Sequence, residues 1–421
     1  MAKSKCGSDR LPIGPSHHGQ MASSGPIVLF CAALGGDGVA RNTVHVANAL
    51  ARRRTPVMVV CLEGGPLAGE LEGVCVRRLG RTPGPRWLAL ALALWRLRKC
   101  LAEARPSVVV SMGNHAHLVV WAALRGMGGV PRVYRISNDP LHGGGLDPLR
   151  PARDASLALV AADATRLVCV SDAIARRKAL IAARRGGRVE VVPNGVDARR
   201  VERLARAPCD HPWVVEGAPY LVAVGRLHPQ KNYGVLVEAL ALARAAGRSG
   251  LRLLILGRAR AREQRRLARQ AAALGLAEAV RFEGEVANPF PLVARAAAYV
   301  LPSRWEGASN SLLEALACGV PIVAARTAGS APEALGHGRY GVLASPEASD
   351  LACAIVRQTH PTHRILPGAR AADLPLSSAV EQMCGVIGRV RGLRDENQME
   401  REGRRHPPLL DGRMRGPHEE Y

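Results

Sequence analysis

The sequence predicts two α/β domains in tandem, each built on a parallel sheet. An apolar run at 27–34, IVLFCAAL, leads directly into Gly35-Gly36 and then into a helical pattern that ends at Leu50. This order of strand, glycine turn and helix is how a parallel sheet with crossover helices begins. A second series of the same kind starts at residue 220. The strands of both series are continuous apolar runs, which is typical of strands buried on both faces.

The first domain is predicted to span 25–200. It continues from the first helix with five apolar runs that we interpret as strands: MVVCL at 58–62, SVVVS at 107–111, RVYRIS at 132–137, RLVCVS at 166–171 and VEVVP at 189–193. Residues 1–24 are polar, with Gly, Pro, Ser and His but no apolar core. We therefore expect a disordered arm there rather than a secretory leader.

The second domain is predicted to span 201–375, because the stretch between Asp197 and Gly217 contains two prolines and few apolar clusters. Its strands and helices alternate in this order: YLVAVG at 220–225, a helix near 232–246, LRLLILG at 251–257, a helix near 261–274, and the strands VRFEG, AAYVLPS and PIVAA. We expect a helix at 376–394 that packs back toward the first domain. The charged, proline-containing residues 395–421 predict a disordered tail.

The composition excludes some classes of function. The formal net charge is +23, yet aromatic residues make up 3% of the chain, whereas single-strand nucleic-acid binders interleave basic residues with stacking rings. The charge suits either solvated helix faces or an anionic membrane surface, which attracts each well-placed cation by roughly 1 kcal/mol. Ten cysteines without a C-x-x-C pair indicate thiols in a reducing cytoplasm.

One apolar run ends in a cluster of basic residues. The run from Trp87 to Trp95 is closed by Arg96, Arg98 and Lys99, and it is shorter than the ~20 residues that a membrane span needs. We interpret it as a buried or interfacial helix.

The segment at 299–319, YVLPSRWEGASNSLLEALACG, combines a strand end, a loop and a helix start. A cap at Ser309 or Asn310 would start the helix, and the freed amides of Ser309, Asn310 and Ser311 would form an anion site with the helix dipole. Glu314 lies about one turn into the helix, where a carboxylate can accept two hydrogen bonds from a vicinal diol such as ribose. Glu306 remains in the loop, further out.

Two cations follow the first strand of the second domain. Arg226 comes directly after YLVAVG, and Lys231 follows five residues later. A guanidinium can bind phosphate oxygens bidentately and an ammonium adds a point charge. Open parallel sheets bind ligands at the carboxyl ends of their strands, where both residues lie. The combination of two cations, a helix start and two carboxylates predicts a site for a nucleotide diphosphate sugar.

The chain resembles family 4 of the retaining glycosyltransferases, enzymes of the GT-B fold, from Gly35-Gly36 to about Val390. Glu306 and Glu314 match the E-x7-E motif within S-R-x-E-G-x-x-N-x-L-L-E-A. Further similar segments are LGGDGVARNTVHVANALARR, VSDAI at 170–174, VVPNGVD at 191–197, VAVGRLHPQKN and GSAPEALGHGRYGVL at 329–343. The resemblance implies two Rossmann-like, doubly wound parallel-sheet domains that face each other across a cleft.

The resemblance also implies roles for individual residues. Arg226 and Lys231 would hold the diphosphate, Glu314 the ribose hydroxyls, and Glu306 the donor sugar near the reacting carbon. The segment from Arg281 to Glu285, including Glu283, would lie near the base. A histidine after SVVVS would reach the donor sugar, and both His115 and His117 are available, with His115 favoured by register.

Three further residues are candidates on position alone. Gly35 and Gly36 have two possible roles: they contact substrate, or they only form a tight turn between strand and helix. Asn138 follows the RVYRIS strand and either lines the acceptor cleft or shapes a turn. These alternatives stay open at the level of the sequence.

The predicted function is therefore retaining transfer of a sugar from a UDP-hexose or UDP-N-acetylhexosamine to the hydroxyl of a saccharide or lipid-linked acceptor. Glycolipid or cell-surface polysaccharide biosynthesis, in the cytoplasm or peripherally on the inner face of the plasma membrane, would be its context. The cations would take the role of a metal, and the sequence contains no D-x-D triplet, so we expect no metal and no other cofactor.

Other interpretations were weighed against transfer. A nicotinamide oxidoreductase is disfavoured because GGDGVA does not have the G-x-G-x-x-G spacing. A sugar-nucleotide epimerase of the same fold, and a non-catalytic basic protein that binds membranes or nucleic acid, remain as alternatives.

Overall fold

A computed structural model describes residues 25–80, 85–140 and 148–405. The predicted arm at 1–24 and the predicted tail from 406 onward lie outside the described residues. Of the described helices, none is both long enough and apolar enough to cross a membrane.

The first sheet contains seven described strands, all parallel, in the spatial order β3-β2-β1-β4-β5-β6-β7. The strands are β1 (Ile27–Ala33), β2 (Val57–Glu63), β3 (Cys75–Arg78), β4 (Val108–Ser111), β5 (Arg132–Ile136), β6 (Arg166–Cys169) and β7 (Val189–Val191). The helices of this part are α1 (Gly38–Arg52), α2 (Arg86–Ala104), α3 (His117–Ala123), α4 (Arg150–Asp163), α5 (Asp172–Ala175) and α6 (Ile181–Arg185). We call this part the first lobe.

The second lobe has six described strands, also parallel, in the order β10-β9-β8-β11-β12-β13. They are β8 (Tyr220–Val224), β9 (Arg252–Leu256), β10 (Val280–Gly284), β11 (Ala298–Leu301), β12 (Ile322–Ala325) and β13 (Val342–Ala344). Its helices are α7 (Ala198–Ala205), α8 (Pro212–Val215), α9 (Tyr233–Ala245), α10 (Ala261–Ala273), α11 (Phe290–Ala294), α12 (Asn310–Ala317), α13 (Ala331–Ala334) and α14 (Ala348–Gln358). Two doubly wound parallel sheets confirm the predicted fold class.

Short 3-10 turns complete the described chain, at Pro66–Glu70, Asn114–Ala116, Lys178–Leu180, Pro229–Lys231, Gly336–Gly338 and Arg370–Asp373. Two of them matter for the site because they follow the carboxyl ends of strands. Asn114–Ala116 follows β4, and Pro229–Lys231 follows β8.

The last helix, α15 (Leu376–Arg405), returns to the first lobe. Its buried residues Met383, Ile387 and Val390 share a core with α1 and the strands of the first sheet. The helix runs past residue 394, whereas the sequence predicts a tail from 395. Glu, Arg, Gln and Met dominate this stretch and favour extension of a helix that tertiary packing has already nucleated.

The chain crosses between the lobes twice, and the two crossings pair. Val196 forms an isolated parallel bridge with Pro375, and Val201 of α7 already lies in the core of the second lobe. The first crossing therefore comes a few residues before the predicted boundary at residue 200. A β-carbon built on Gly195 would lie 2.5 Å from the carbonyl oxygen of Pro375, so the pairing leaves room for glycine alone.

Candidate functional site

The candidate site lies where the carboxyl edges of the two sheets face each other. Glycines allow the close approach of the lobes: a β-carbon on Gly38, at the start of α1, would lie 2.7 Å from Nδ2 of Asn310, at the start of α12. A β-carbon on Gly307 would lie 2.4 Å from the carbonyl oxygen of Ser137. The starts of helices from both lobes thus meet in one cleft.

The start of α12 leaves its first amides without a side-chain cap. Ser309 occupies the capping position, but its hydroxyl lies 3.1 Å from that of Ser311 and makes no capping hydrogen bond. The Ser311 hydroxyl points back to the sheet, 3.2 Å from the carbonyl oxygen of Val224. The helix begins at Asn310 with Ser309 as its N-cap residue, as the sequence predicts, but no capping side-chain hydrogen bond forms. The uncapped amides and the helix dipole still offer an anion site.

Lys231 and Glu306 form a buried ion pair beside this helix. The Nζ of Lys231 lies 2.7 Å from Oε1 of Glu306, which also accepts a hydrogen bond of 2.9 Å from Ser303. Gln230 donates to the other carboxylate oxygen over 3.2 Å. Glu306 is therefore not an outer loop carboxylate as the sequence suggested, because tertiary packing turns it inward to hold the ammonium group. Gly225 has a φ of 150°, which L side chains rarely adopt, and a β-carbon there would also lie 2.8 Å from Cε of Lys231.

Arg226 is exposed at the carboxyl end of β8, next to Gly225. Among the residues that the structure describes, no acidic side chain pairs with its guanidinium. Together with burial and Arg260, its charge lowers the pKa of His228, with burial the largest cause. Arg226 therefore contributes a free positive charge at the edge of the cleft.

Glu314 lies one turn into α12, where Arg41 of α1 and Arg200 of α7 are near enough to act on its charge. Burial raises the pKa of its carboxyl group, and the two arginines oppose that effect. Within the described chain, no hydrogen bond reaches this carboxylate. A partly buried carboxylate without a protein donor is suited to accept the hydroxyls of a ligand.

The two candidate histidines are in different environments. His115 is exposed on the 3-10 turn after β4. His117 is 4% exposed, its Nδ1 lies 2.7 Å from the Ser111 hydroxyl, and its ring packs edge-on to Tyr134. Burial lowers the pKa of His117 to about 3. The sequence-based prediction that His117 binds substrate is therefore wrong, because its side chain is buried in the core of the first lobe.

Gly35 and Gly36 lie in the turn between β1 and α1, and Gly36 faces the second lobe. A β-carbon on Gly36 would lie 3.3 Å from Oε1 of Glu285, whereas one on Gly35 would meet no atom within 4 Å.

Asn138 shapes a turn after β5. Its Oδ1 accepts a hydrogen bond from the backbone amide of Asp139 over 2.9 Å, and its backbone carbonyl accepts one from the side-chain amide of Asn114 over 2.8 Å.

Arg281 and Glu283 belong to the edge strand β10 and do not join the cations at α12. The guanidinium of Arg281 lies 5.0 Å from the ring centre of Trp213. Glu283 lies 3.4 Å from Nε2 of His211, and both line a separate cavity of about 360 Å³. That the segment from Arg281 to Glu285 lies near the base of the donor stays a prediction of the resemblance.

A chain of side-chain hydrogen bonds joins the two lobes; we call it the relay, and the sequence analysis did not predict it. The guanidinium of Arg135, 5% exposed on β5, donates to Oδ1 of Asn194 over 2.6 Å. The amide of Asn194 then donates to Oδ1 of Asn310 over 2.7 Å and to the carbonyl oxygen of Ala308 over 3.2 Å. The sequence does contain one sign of this chain of bonds, namely Arg135 within an otherwise apolar strand. A buried guanidinium requires a hydrogen-bond acceptor, so a polar partner was to be expected.

Two family models match this chain. One, described as glycosyl transferases group 1, matches residues 218–359, and one described as glycosyltransferase family 4 matches residues 36–200. Between them they match well over half of the chain.

Individual relatives agree with the family models. The lipopolysaccharide core biosynthesis glycosyltransferase LpsE of Rhizobium meliloti is 26% identical over 69% of this chain and 76% of its own length. A D-inositol 3-phosphate glycosyltransferase of Actinosynnema mirum is 36% identical over 51% of this chain, and the match spans 52% of that relative.

Solved structures show the same fold. Anabaena HepE, in complex with UDP and glucose, superposes with a TM-score of 0.68 at 22% identity, covering 86% of this chain and 99% of its own. A sucrose-phosphate synthase from Thermosynechococcus elongatus superposes with a TM-score of 0.72 at 19% identity, covering 88% and 100%. The chain is a glycosyltransferase of the GT-B fold, with a glycosyltransferase family 4 domain in its first lobe and a glycosyl transferases group 1 domain in its second.

Proposed function

We propose that this enzyme transfers a hexose or N-acetylhexosamine from a UDP-sugar to the hydroxyl of a saccharide or lipid-linked acceptor, with retention of anomeric configuration. One observation carries the proposal: Arg226, the Lys231–Glu306 pair and the uncapped start of α12 occupy the same edge of the second sheet. Two cations and a helix start match the charge of a leaving diphosphate.

In the proposed mechanism, the acceptor hydroxyl approaches from the face that the phosphate leaves, and the departing phosphate oxygen takes its proton. Negative charge then grows on the diphosphate, and preorganised donors stabilise it. Arg226 and Lys231 supply this stabilisation without a divalent metal. The buried Glu306 holds Lys231 in place, so we now propose for Glu306 a positioning role rather than direct contact with the sugar.

Glu314 is proposed to bind the ribose of the donor. Its raised pKa and its lack of a protein hydrogen-bond donor within the described chain support this role, because a diol would supply the two missing hydrogen bonds. His115, exposed on the first-lobe side of the cleft, is proposed to contact the donor sugar.

The biological context is proposed from the relatives. LpsE is named for lipopolysaccharide core biosynthesis, and HepE is described with UDP and glucose bound. Together they support a UDP-sugar donor and a role in glycolipid or cell-surface polysaccharide synthesis. We also propose that the enzyme works peripherally at an anionic membrane.

Mass spectrometry of the products tests this function. The enzyme is incubated with a mixture of nucleotide sugars and a membrane extract, and new glycosides are sought. We expect one acceptor to gain a hexose or N-acetylhexosamine while UDP is released. Conversion of one nucleotide sugar into another without an acceptor would instead support an epimerase.

A further inference from the structure

Two loops at the carboxyl edge of the second sheet lie side by side, because β8 and β11 are neighbours in that sheet. We call residues 225–232, which follow β8, the cation loop, and residues 302–309, which follow β11, the carboxylate loop. The cation loop contains Arg226 and Lys231, and the carboxylate loop contains Glu306. The contacts between these loops therefore determine where the ammonium group of Lys231 is held.

The side chain of Gln230 bridges the two loops. It is 8% exposed, and its Nε2 group donates to the carbonyl oxygen of Trp305 over 3.0 Å and to Oε2 of Glu306 over 3.2 Å. The backbone carbonyl of Gln230 accepts a further hydrogen bond of 2.9 Å from the amide of Arg304. Three consecutive residues of the carboxylate loop are thus bonded to this one glutamine.

The carboxylate of Glu306 is contacted at both of its oxygens. Lys231 and Ser303 lie 2.7 and 2.9 Å from Oε1, and within the described chain the hydrogen bond to Oε2 comes from Gln230. Ser303 belongs to the same loop as Glu306, so its hydrogen bond does not connect the loops. Gln230 therefore fixes the carboxylate relative to the loop that carries Lys231.

A neutral amide has the chemistry that this position requires. A buried carboxylate has to be paired and hydrogen-bonded. A second cation here would compete with Lys231 for Glu306, and a second carboxylate would draw the ammonium group away from it. An amide leaves the charge balance unchanged, and the two hydrogens of its NH2 group serve Trp305 and Glu306 at the same time.

We infer that Gln230 is a positioning residue of this enzyme, which keeps the carboxylate of Glu306, and through it the ammonium group of Lys231, aligned at the edge of the cleft. The consequence for catalysis rests on the proposed function, in which Lys231 stabilises the leaving diphosphate. The restraint on Lys231 does not rest on that function, and it is measurable without any ligand.

Competitive labelling of lysine measures this restraint on the full-length chain. The sequence contains five lysines, at positions 3, 5, 99, 178 and 231, of which Lys99 and Lys178 are exposed. Brief treatment with acetic anhydride, followed by mass spectrometry of the peptides, gives the rate at Lys231 relative to these two. The ammonium group has to leave Glu306 before it reacts. Gln230→Met keeps the chain length without a donor and should raise the relative rate about fivefold, the size expected from one buried hydrogen bond.

Gln358→Met is the matched control. Gln358 is also buried, and its Nε2 group donates to the carbonyl oxygens of Ile322 and Ile365 over 2.9 and 3.1 Å. Ile322 begins β12, so this bridge lies at the edge of the second sheet that is opposite the cleft. The control should lose stability in urea, yet Lys231 should react at the wild-type rate relative to the two exposed lysines. Equal acceleration in the control would overturn the inference.

Gln230→Asn is the second variant, and it alone decides if Gln230→Met does not fold. It keeps the amide, but its side chain is one methylene shorter and cannot reach both Trp305 and Glu306. Labelling of Lys231 should again be faster than in the wild type. A wild-type rate at Lys231 in the folded variants of Gln230 would overturn the inference.

Kinetics with the donor test the consequence for catalysis. Gln230→Met should lower kcat about tenfold and change KM for the donor by about twofold at most, because a misaligned Lys231 loses contact with charge that develops in the transition state. In the Lys231→Ala background the same substitution should have no further effect, and additive losses would overturn the positioning role. Wild-type turnover by Lys231→Ala would instead reject the proposed function, and the labelling result would stand.

Discussion

At the scale of residues, the electrostatics of the cleft depend on how three charged side chains of the second lobe are held in place. Lys231 is fixed by Glu306, Arg226 stands free in the described structure, and Glu314 keeps an unused carboxylate. The carboxylate of Glu306 restrains the ammonium of Lys231 at this edge of the cleft. In the proposed function, Lys231 is therefore the preorganised phosphate contact and the exposed Arg226 the adaptable one.

Replacing either cation should nearly abolish transfer. Removal of one preorganised charge contact costs about 3 kcal/mol of transition-state stabilisation, so Arg226→Ala and Lys231→Ala should lower kcat/KM by about two orders of magnitude. Steady-state kinetics with the identified UDP-sugar measure this. Arg262→Ala, an exposed residue of α10, is the control. More than a tenth of the wild-type rate in either variant would disprove the phosphate assignment.

Glu314→Gln should separate stability from activity. Because burial raises the pKa of Glu314, its ionised form costs the folded state free energy, and this cost appears as the pH rises above the ordinary value of 4.5. The variant should therefore be more stable than wild type in urea at pH 7, with the difference vanishing at acidic pH. Donor binding should weaken, because an amide accepts fewer hydrogen bonds from a diol. A variant that is less stable at pH 7 would contradict this account.

The sequence singles out Arg226, Lys231, Glu306 and Glu314 as candidate site residues, but it does not contain their partners. The Lys231–Glu306 pair joins residues from two strand ends, and His117 differs from His115 in its burial and in its contacts with Ser111 and Tyr134. Such contacts depend on tertiary packing, which a local pattern does not contain.

At the scale of elements, the start of α12 is tied to the first lobe by the relay from Arg135 through Asn194. Burial lowers the pKa of Arg135 to about 10, so its guanidinium still carries charge at neutral pH and needs its acceptor. Asn194 serves as that acceptor and, through its amide, donates to the turn before α12. The relay therefore couples the position of the anion site to β5.

Asn194→Asp should test this coupling. Aspartate keeps an acceptor for Arg135 but has no donor for Oδ1 of Asn310 or for the carbonyl oxygen of Ala308, so the turn before α12 should be held less firmly. We expect kcat to fall about tenfold, the effect of roughly 1.4 kcal/mol, while stability in urea stays close to wild type. Asn194→Ala, which removes all three hydrogen bonds of this side chain, should lose stability as well. An unchanged kcat in Asn194→Asp would show that the relay is only structural.

The long apolar strands and their helices were predictable because a strand buried on both faces is an uninterrupted apolar run. The short strands were not predictable from the sequence. β3 has four residues, two of them arginines at the sheet edge, and β13 has three. Their pairing with a neighbour defines them, and no periodicity marks them in the sequence.

At the scale of the whole molecule, two paired crossings set how the lobes face each other. Gly195 packs against the backbone of Pro375, and Val196 exchanges hydrogen bonds with Leu374 and Leu376. The two-lobed fold could be read from the repeated strand–helix series. The closeness of the lobes could not, because it depends on backbone contacts at single glycines.

Gly195→Val should push the crossings apart. The new side chain would meet the Pro375 and Leu376 backbone at 2.5 to 2.7 Å, where something must move. We expect a larger radius of gyration in small-angle X-ray scattering and a fall in transfer rate of at least tenfold. Gly250→Val, at a second-lobe glycine with nothing within 4 Å of a β-carbon and without a positive φ, is the matched control. An unchanged radius and rate would contradict the proposed role of the crossings.

A crystal structure with UDP bound tests the central claim most directly. The account predicts the pyrophosphate within hydrogen-bonding distance of Arg226, Lys231 and the first amides of α12, and the ribose hydroxyls on Glu314. Density for the nucleotide at another place, or at this cleft without contact to these groups, would contradict it.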